Sequence, residues 1–424
     1  MERNDPRYQA YVEILKEELI PAMGCTEPIA LAYAAAKARE VLGVLPDSVQ
    51  LQVSGSIIKN VKSVIVPNTG HLKGMEAAVA AGIIAGSAEK ELEVISEVSE
   101  EKKSAIRDYL QTVPITIEHT EQGHVFDIVV TERCGQDYAR VRIADYHTNI
   151  CRIEKNGTVL YEVPLLDETV QEDTRADRSL LNMQDIWDFA ETADLRDVAD
   201  LLERQIRYNN AIAEEGLLGD YGANIGRVLL TTYGNDVSNR AKAKAAAGSD
   251  ARMNGCELPV IINSGSGNQG ITCSVPLIEY AKELHSGKEK LYRALIISNL
   301  VAIHEKTGIG TLSAYCGAVS AGAGAGAGIV YLCGDGYQAA IHTVVNALAI
   351  VSGIVCDGAK ASCAAKIASS VDAALLGYNM YKCNQEFKGG DGIVMKDIET
   401  TIKGIGRLGK DGMKETNEEI IRLM

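Results

Sequence analysis

Apolar positions three and four residues apart recur across residues 7–43, first in YQAYVEILKEELIPA and then in IALAYAAAKAREVLG, with the turn MGCTEP between them. That spacing predicts two helices. Thr26 is placed to cap the second helix, Pro28 fits its first turn, and Gly43 ends it. Cys25 then falls just outside a helix N-terminus. Between residues 48 and 165 the pattern changes to alternation, in VQLQVSGSIIKNV, PITIEHT, HVFDIVVTE, ARVRIADYHTNICRIEKNG and TVLYEV. A period of two, together with the Asn156-Gly157 turn signal, predicts strands and hairpins. One helix, GMEAAVAAGIIAGSAEKEL, interrupts them after the polar, turn-rich loop VPNTGHLKG at 66–74.

Beyond the charged stretch DETVQEDTRADRS (167–179) helical patterns dominate, as in MQDIWDFAETADLRDVADLLERQIRYNNAIAEEGL, YQAAIHTVVNALAIVSGIV and CAAKIASSVDAALLGYNMY. The expected fold class is therefore α+β. A mixed α/β-sheet domain over 1–166 precedes a linker at 167–180 and a mostly α-helical domain at 181–424. No fixed-period repeat is found, and the alternating Ala-Gly run at 321–328 is local.

At 424 residues the chain exceeds the usual size of a single core, so two domains are expected. A net charge of -15 without a strong basic run argues against nucleic acid and against an anionic membrane surface. The stretch 307–334 carries no charged side chain, but its Gly, Ala and Ser content supplies little transfer free energy, so burial inside protein is expected. The first residues lack the apolar core of a secretory signal, which predicts a cytoplasmic protein. Ten cysteines are too sparse for a disulfide scaffold and read as core residues, metal ligands or reactive thiols.

Three motifs could carry chemistry. Cys316 opens the glycine-rich run, and Cys356 and Cys363 bracket CDGAKASC, with Gly317, Gly353 and Gly358 leaving room around them. Thiolates converging among small residues suit an iron–sulfur cluster, and three ligands leave one iron open. Buried cysteines also pack as small hydrophobes, and the spacing by itself does not choose. The segment NSGSGNQG (263–270) has successive small residues whose N–H groups can bind an anion. A substrate carboxylate held by Ser264, Gly265, Ser266, Gly267 and Asn268 is one reading, and a plain turn the other. Cys25, at a helix start, is either a reactive thiolate or an incidental residue at a structural cap. His71, His147 and His304 sit among polar residues and form no metal motif. The remaining cysteines, 134, 151, 256, 273, 333 and 383, are read as packing or surface thiols.

Taken together, GCTEPIALA, VPNTGHLKG, NSGSGNQGI, YCGAVSAGAGAGAG, VSGIVCDGAKASCAAKIA and the tail GGDGIV…TIKGIGRLGKDGM resemble the bacterial and archaeal L-cysteine desulfidase family, related to the α-domain of iron–sulfur L-serine dehydratases. The resemblance implies an oxygen-sensitive [4Fe-4S] lyase that turns L-cysteine and water into pyruvate, ammonia and hydrogen sulfide without pyridoxal phosphate. Cys316, Cys356 and Cys363 match the three family ligands, Cys25 matches the cysteine of GCTEP, and residues 264–268 match the loop near the cluster. The implied partner is a small amino-acid substrate, and a homo-oligomer is compatible with the sequence. The chain lacks the terminal cysteine tail and the SSSHT-type motif of serine dehydratases, which favours cysteine over serine. A non-catalytic iron–sulfur redox sensor is the reading from another class.

Overall fold

The computed structural model describes residues 1–120, 124–165, 175–310 and 312–424. The expected linker at 167–180 falls largely on 166–174, outside the described residues. The α+β class holds: a sheet occupies the first half and helices the second.

The strands are β1 (Pro21–Met23), β2 (Ser48–Val53), β3 (Ile115–His119), β4 (Asp127–Cys134), β5 (Asp137–Ala144), β6 (Ile150–Lys155), β7 (Thr158–Glu162) and β8 (Pro259–Ile261). Six of them form a sheet in the order β3-β2-β4-β5-β6-β7. The β2–β3 pair is parallel and the others are antiparallel. Both Asn156 (φ 50°) and Gly157 (φ 82°) take the left-handed conformation at the β6–β7 hairpin, as the Asn-Gly signal predicts. Alternation misleads in one place. Of VQLQVSGSIIKNV only Ser48–Val53 is a strand, whereas Gly55–Val61 forms a helix that begins after Ser54 and packs under the C-terminal helix Lys414–Leu423.

The helix Thr26–Leu42 lies on β4 and β5 and against the helix Gly74–Ala85. Only glycine allows that second contact, since a Cβ at Gly82 would lie 2.1 Å from the Ala32 carbonyl oxygen. The two halves are tied together along the chain. β1 pairs antiparallel with β8, with Pro21 opposite Ile261. The first helix, Pro6–Glu18, sets Tyr8 and Tyr11 edge-on against Phe189 at 5.1 and 5.3 Å. One hydrophobic cluster accordingly runs from Tyr8 to Ile405.

The uncharged glycine-alanine run becomes the helix Gly317–Cys333 at the centre of the second half. It is surrounded by the helices Gly267–Glu283, Lys288–Ile309, Tyr337–Val351 and Cys363–Lys382. No described helix is long and apolar enough to cross a membrane. Its glycines set the packing distance: a Cβ at Gly324 would lie 2.4 Å from the Ser298 carbonyl oxygen, and one at Gly322 would lie 2.8 Å from Ser370. Gly324→Val should therefore overpack this centre and lower stability by about 1–3 kcal/mol or more, read as an earlier urea midpoint at unchanged slope.

Candidate active site

Four helices begin at one point. Cys25, Ser266, Cys316 and Ser362 are the residues that precede Thr26–Leu42, Gly267–Glu283, Gly317–Cys333 and Cys363–Lys382, and none of these four starts is closed by a side-chain cap. Their dipoles favour negative charge in the space between them, although the first two N–H groups of the last helix, at Cys363 and Ala364, already donate to Lys360 and Ala361. A cavity of about 120 Å³ lies there, lined by Cys25, Glu27, Arg252, Cys316, Cys356 and Cys363 together with Ser264, Gly265, Ser266 and Asn268. All three proposed ligands, the GCTEP cysteine and four of the five loop residues thus meet at one place. The fifth, Gly267, starts its helix against Arg252: a Cβ there would lie 2.3 Å from the Arg252 Nε.

Local chain geometry explains the convergence. Tyr315 and Val355 form an antiparallel bridge, and the Cys356 N–H donates to the Ala314 carbonyl at 2.6 Å, which sets Cys316 and Cys356 side by side. Gly358 turns the chain at φ 94°, passing so close to Lys59 that a Cβ would lie 2.2 Å from the Lys59 carbonyl oxygen. That turn lets Cys363 start its helix facing the other two. Gly24 does the same for Cys25, with φ 54° and Pro67 of the VPNTGHLKG loop packed where a Cβ would stand. The loop at 264–266 is closed by reciprocal Asn263–Ser266 backbone bonds, with Ser264 (φ 48°) and Gly265 (φ 75°) left-handed.

The donor set fits an iron–sulfur cluster. Among the described residues no three His, Cys, Asp or Glu side chains converge tightly enough to hold a single metal ion. Three thiols that line one cavity among small residues are donors of the kind an iron–sulfur cluster takes. Burial first, then the neighbouring Cys356 and Cys363, pushes the Cys316 thiol up to about 12, and burial likewise raises Cys363. Metal binding must therefore displace protons from them. In a chain with net charge -15, four cations gather here. Lys59 and Lys306 act on Cys316 and Cys356, Lys366 on Cys316 and Cys363, and Arg252 on Cys363. Burial draws Lys306 down to about 8. The Lys59 ammonium donates to the Cys356 carbonyl at 3.3 Å and to Asn417 at 2.6 Å, so the C-terminal helix buttresses this wall.

The surroundings of Cys25 differ from the expectation. Thr26 does not cap its helix; its one hydroxyl proton is shared between the Gly265 carbonyl at 2.9 Å and Glu27 Oε2 at 3.1 Å, joining the GCTEP turn to the glycine loop. Cys25 is buried, and its thiol donates to Glu27 Oε2 at 3.0 Å. Burial above all, and then the Glu27 charge, push the thiol well up from its ordinary value, so the helix start does not yield a resting thiolate. The negative charge sits on Glu27. Burial opposes it, but the nearby His147 and the Cys25 thiol hold this carboxyl down to about 2. Its Oε1 accepts from Asn60 at 3.0 Å and lies 3.9 Å from His147 Nε2, beyond hydrogen-bonding distance.

Glu27, Asn60, His147, Arg252, Gln269 and Lys306 line the cavity and were not singled out as site residues by the sequence reading. Glu27 stands two residues from Cys25 but reads as an ordinary first-turn acid. His147 also lines a larger cavity of about 820 Å³ that shares Ser264, Gly265 and Lys306 with the inner one, and so stands between vestibule and site. His304 instead pairs with Glu399 at 2.8 Å, and His71 packs beside Gly255 away from the cavity lining.

A model of the serine dehydratase alpha chain family matches residues 89–422. The chain is 62% identical over 424 residues to a UPF0597 protein of Desulfitobacterium hafniense, spanning 100% of this chain and 98% of that protein. It is 53% identical over 417 residues to a UPF0597 protein of Lachnoclostridium phytofermentans (98% and 99% covered) and 46% identical over 429 residues to one of Treponema denticola (100% and 99%). The family match contains all three clustered cysteines, Arg252 and the glycine loop, whereas Cys25 and Glu27 precede it.

Proposed function

Since this chain belongs to the serine dehydratase alpha chain family, we propose that it is a [4Fe-4S] lyase that eliminates the β-sulfur of L-cysteine, giving hydrogen sulfide, pyruvate and ammonia. The observation that carries this reading is one cavity lined by Cys316, Cys356 and Cys363, by the hydrogen-bonded Cys25–Glu27 pair and by the glycine loop. When bound by those three thiolates, the cluster supplies an iron without a protein ligand, a Lewis acid for the departing sulfur.

The protein's own groups handle the proton and the substrate's orientation. Because the charge rests on Glu27 and the proton on Cys25, the base is the pair. The substrate Cα proton moves to the Cys25 sulfur as the S–H proton moves to Glu27 Oε2, along the 3.0 Å bond already in place. The Cα–H electron pair forms the Cα–Cβ double bond, and the β-sulfur leaves with its bonding pair. The aminoacrylate product hydrolyses without further help. Ser264–Ser266 lie on the side of the cavity proposed for the substrate's carboxylate end, where the uncapped start of the helix Gly267–Glu283 favours negative charge.

The substrate is tested by anaerobic assay of the reconstituted protein with L-cysteine and L-serine, following pyruvate and sulfide together. A higher kcat/KM for cysteine with one sulfide per pyruvate is expected. A preference for serine makes the chain a deaminating dehydratase with the same proton chemistry, and turnover of neither leaves the redox sensor. Gly267→Val drives a side chain into Arg252 and Val260 and should raise KM for the substrate by on the order of tenfold or more while the fold persists. Unaltered kinetics in the folded variant would reduce the loop to a turn.

A further inference from the structure

Arg252 is 2% exposed, and its guanidinium makes no hydrogen bond or ion pair among the described residues. Its Nε is buried without any partner. It lies on the helix Val237–Met253, where it lines the inner cavity beside Cys25 and Cys363 and rests on Gly267. A buried guanidinium without a counter-ion is costly, and its planar fork matches a carboxylate. The same cavity is lined by three side-chain carbonyls that also lack partners, Asn60 Oδ1, Asn268 Oδ1 and Gln269 Oε1. Two of them are oriented by their amides: the Asn60 amide donates to Glu27 at 3.0 Å, and the Gln269 amide points to the Ser264 carbonyl at 3.5 Å.

Arg252 and these carbonyls, one cationic donor and three neutral acceptors, stand on a cavity whose remaining unpartnered side-chain atom among the described residues is His147 Nε2. A free α-amino acid carries the complement, a carboxylate that only accepts and an ammonium that only donates. Glu27 already accepts from Cys25 and Asn60, whereas the three carbonyls have no donor at all. Resting on the lyase reading above, we infer that Arg252 anchors the substrate carboxylate while Asn60, Asn268 and Gln269 take its ammonium, so that the site selects a free zwitterionic α-amino acid. The glycine loop then serves as the surface against which Arg252 is held, and Gly267 is glycine because the guanidinium lies on it. The set also sorts substrates: thiols without an α-carboxylate, and peptides with a blocked one, leave the guanidinium buried and unpaired.

The test uses the reconstituted protein and the variants Arg252→Met and Arg252→Lys, with saturation-transfer NMR titration of L-alanine, which lacks a leaving group, and of L-alaninamide, which lacks the carboxylate. Wild type should bind L-alanine and not L-alaninamide. Arg252→Met should keep its iron content, lose L-alanine binding and raise KM for cysteine by on the order of a hundredfold with kcat changed far less. Arg252→Lys should recover part of the affinity, because the charge remains and the fork is gone. Unchanged L-alanine affinity and KM in a folded Arg252→Met protein would overturn the anchor while leaving the lyase intact. Loss of iron in both variants would overturn it differently, making Arg252 a counter-charge for the cluster. If wild type binds L-alanine through Arg252 yet eliminates neither cysteine nor serine, the lyase reading fails and the anchor stands.

Discussion

Cys356→Ser should leave a folded, colourless protein whose turnover is lower by on the order of a thousandfold or more. The side chain is half-buried on an extended segment fixed by the Tyr315–Val355 bridge and by the backbone bond to Ala314, and neither depends on sulfur. The substitution therefore removes a ligand and little else. What is lost is a Lewis acid that contributes several kcal/mol at the departing sulfur, which corresponds to that factor in rate. Cys316→Ser and Cys363→Ser should follow, since each begins a helix at the same cavity. Absorbance in the visible and a chemical iron assay check the first part, and circular dichroism the fold. A Cys356→Ser protein with full colour and full activity would remove the three-thiol assignment.

The second large effect is expected at the proton-handling pair. Cys25→Ala should keep the cluster's absorbance and lose turnover by about 10²–10⁴-fold, together with solvent deuterium exchange at the substrate Cα. Glu27→Gln should do the same, because the resting negative charge lies on that carboxylate and the amide cannot receive the S–H proton. The equality of the two losses is the distinguishing outcome, since groups that act as a unit are not additive. A dead Glu27→Gln beside an active Cys25→Ala would assign the base to Glu27 alone. Loss of colour in Cys25→Ala would make Cys25 a cluster ligand, and full turnover in both would leave the pair a structural helix start.

The chemistry was legible in the sequence where small residues crowd a functional one. Cys316, Cys356 and Cys363 stand among glycines that the structure uses for close approach, and the loop at 263–270 announces itself by composition. Strands such as β2 and β5 were legible because period-two burial follows from one covered face, and the Asn156-Gly157 hairpin because both residues take the left-handed conformation. What escaped was set by tertiary contact. Gly55–Val61 alternates like a strand, yet it is a helix because the chain turns under the C-terminal helix. Cys25 looked like an activated thiolate from its place at a helix start, and the fold buries it against a carboxylate that reverses the effect. Arg252 sits on an alanine-rich helix that is covered along its whole length, with its charged residues spread on every side, so nothing local marks it as a charge without a partner.

The central claim, an iron–sulfur centre that eliminates the β-sulfur of cysteine, is tested most directly by one anaerobic measurement on the reconstituted wild-type chain. Iron and acid-labile sulfide are counted, and the same sample is mixed with L-cysteine while pyruvate and released sulfide are followed. About four iron and four sulfide per chain, with pyruvate and hydrogen sulfide appearing in equal amounts, is the expected result. A protein that takes up no iron, or one that holds the full complement and forms no pyruvate from cysteine, would contradict it.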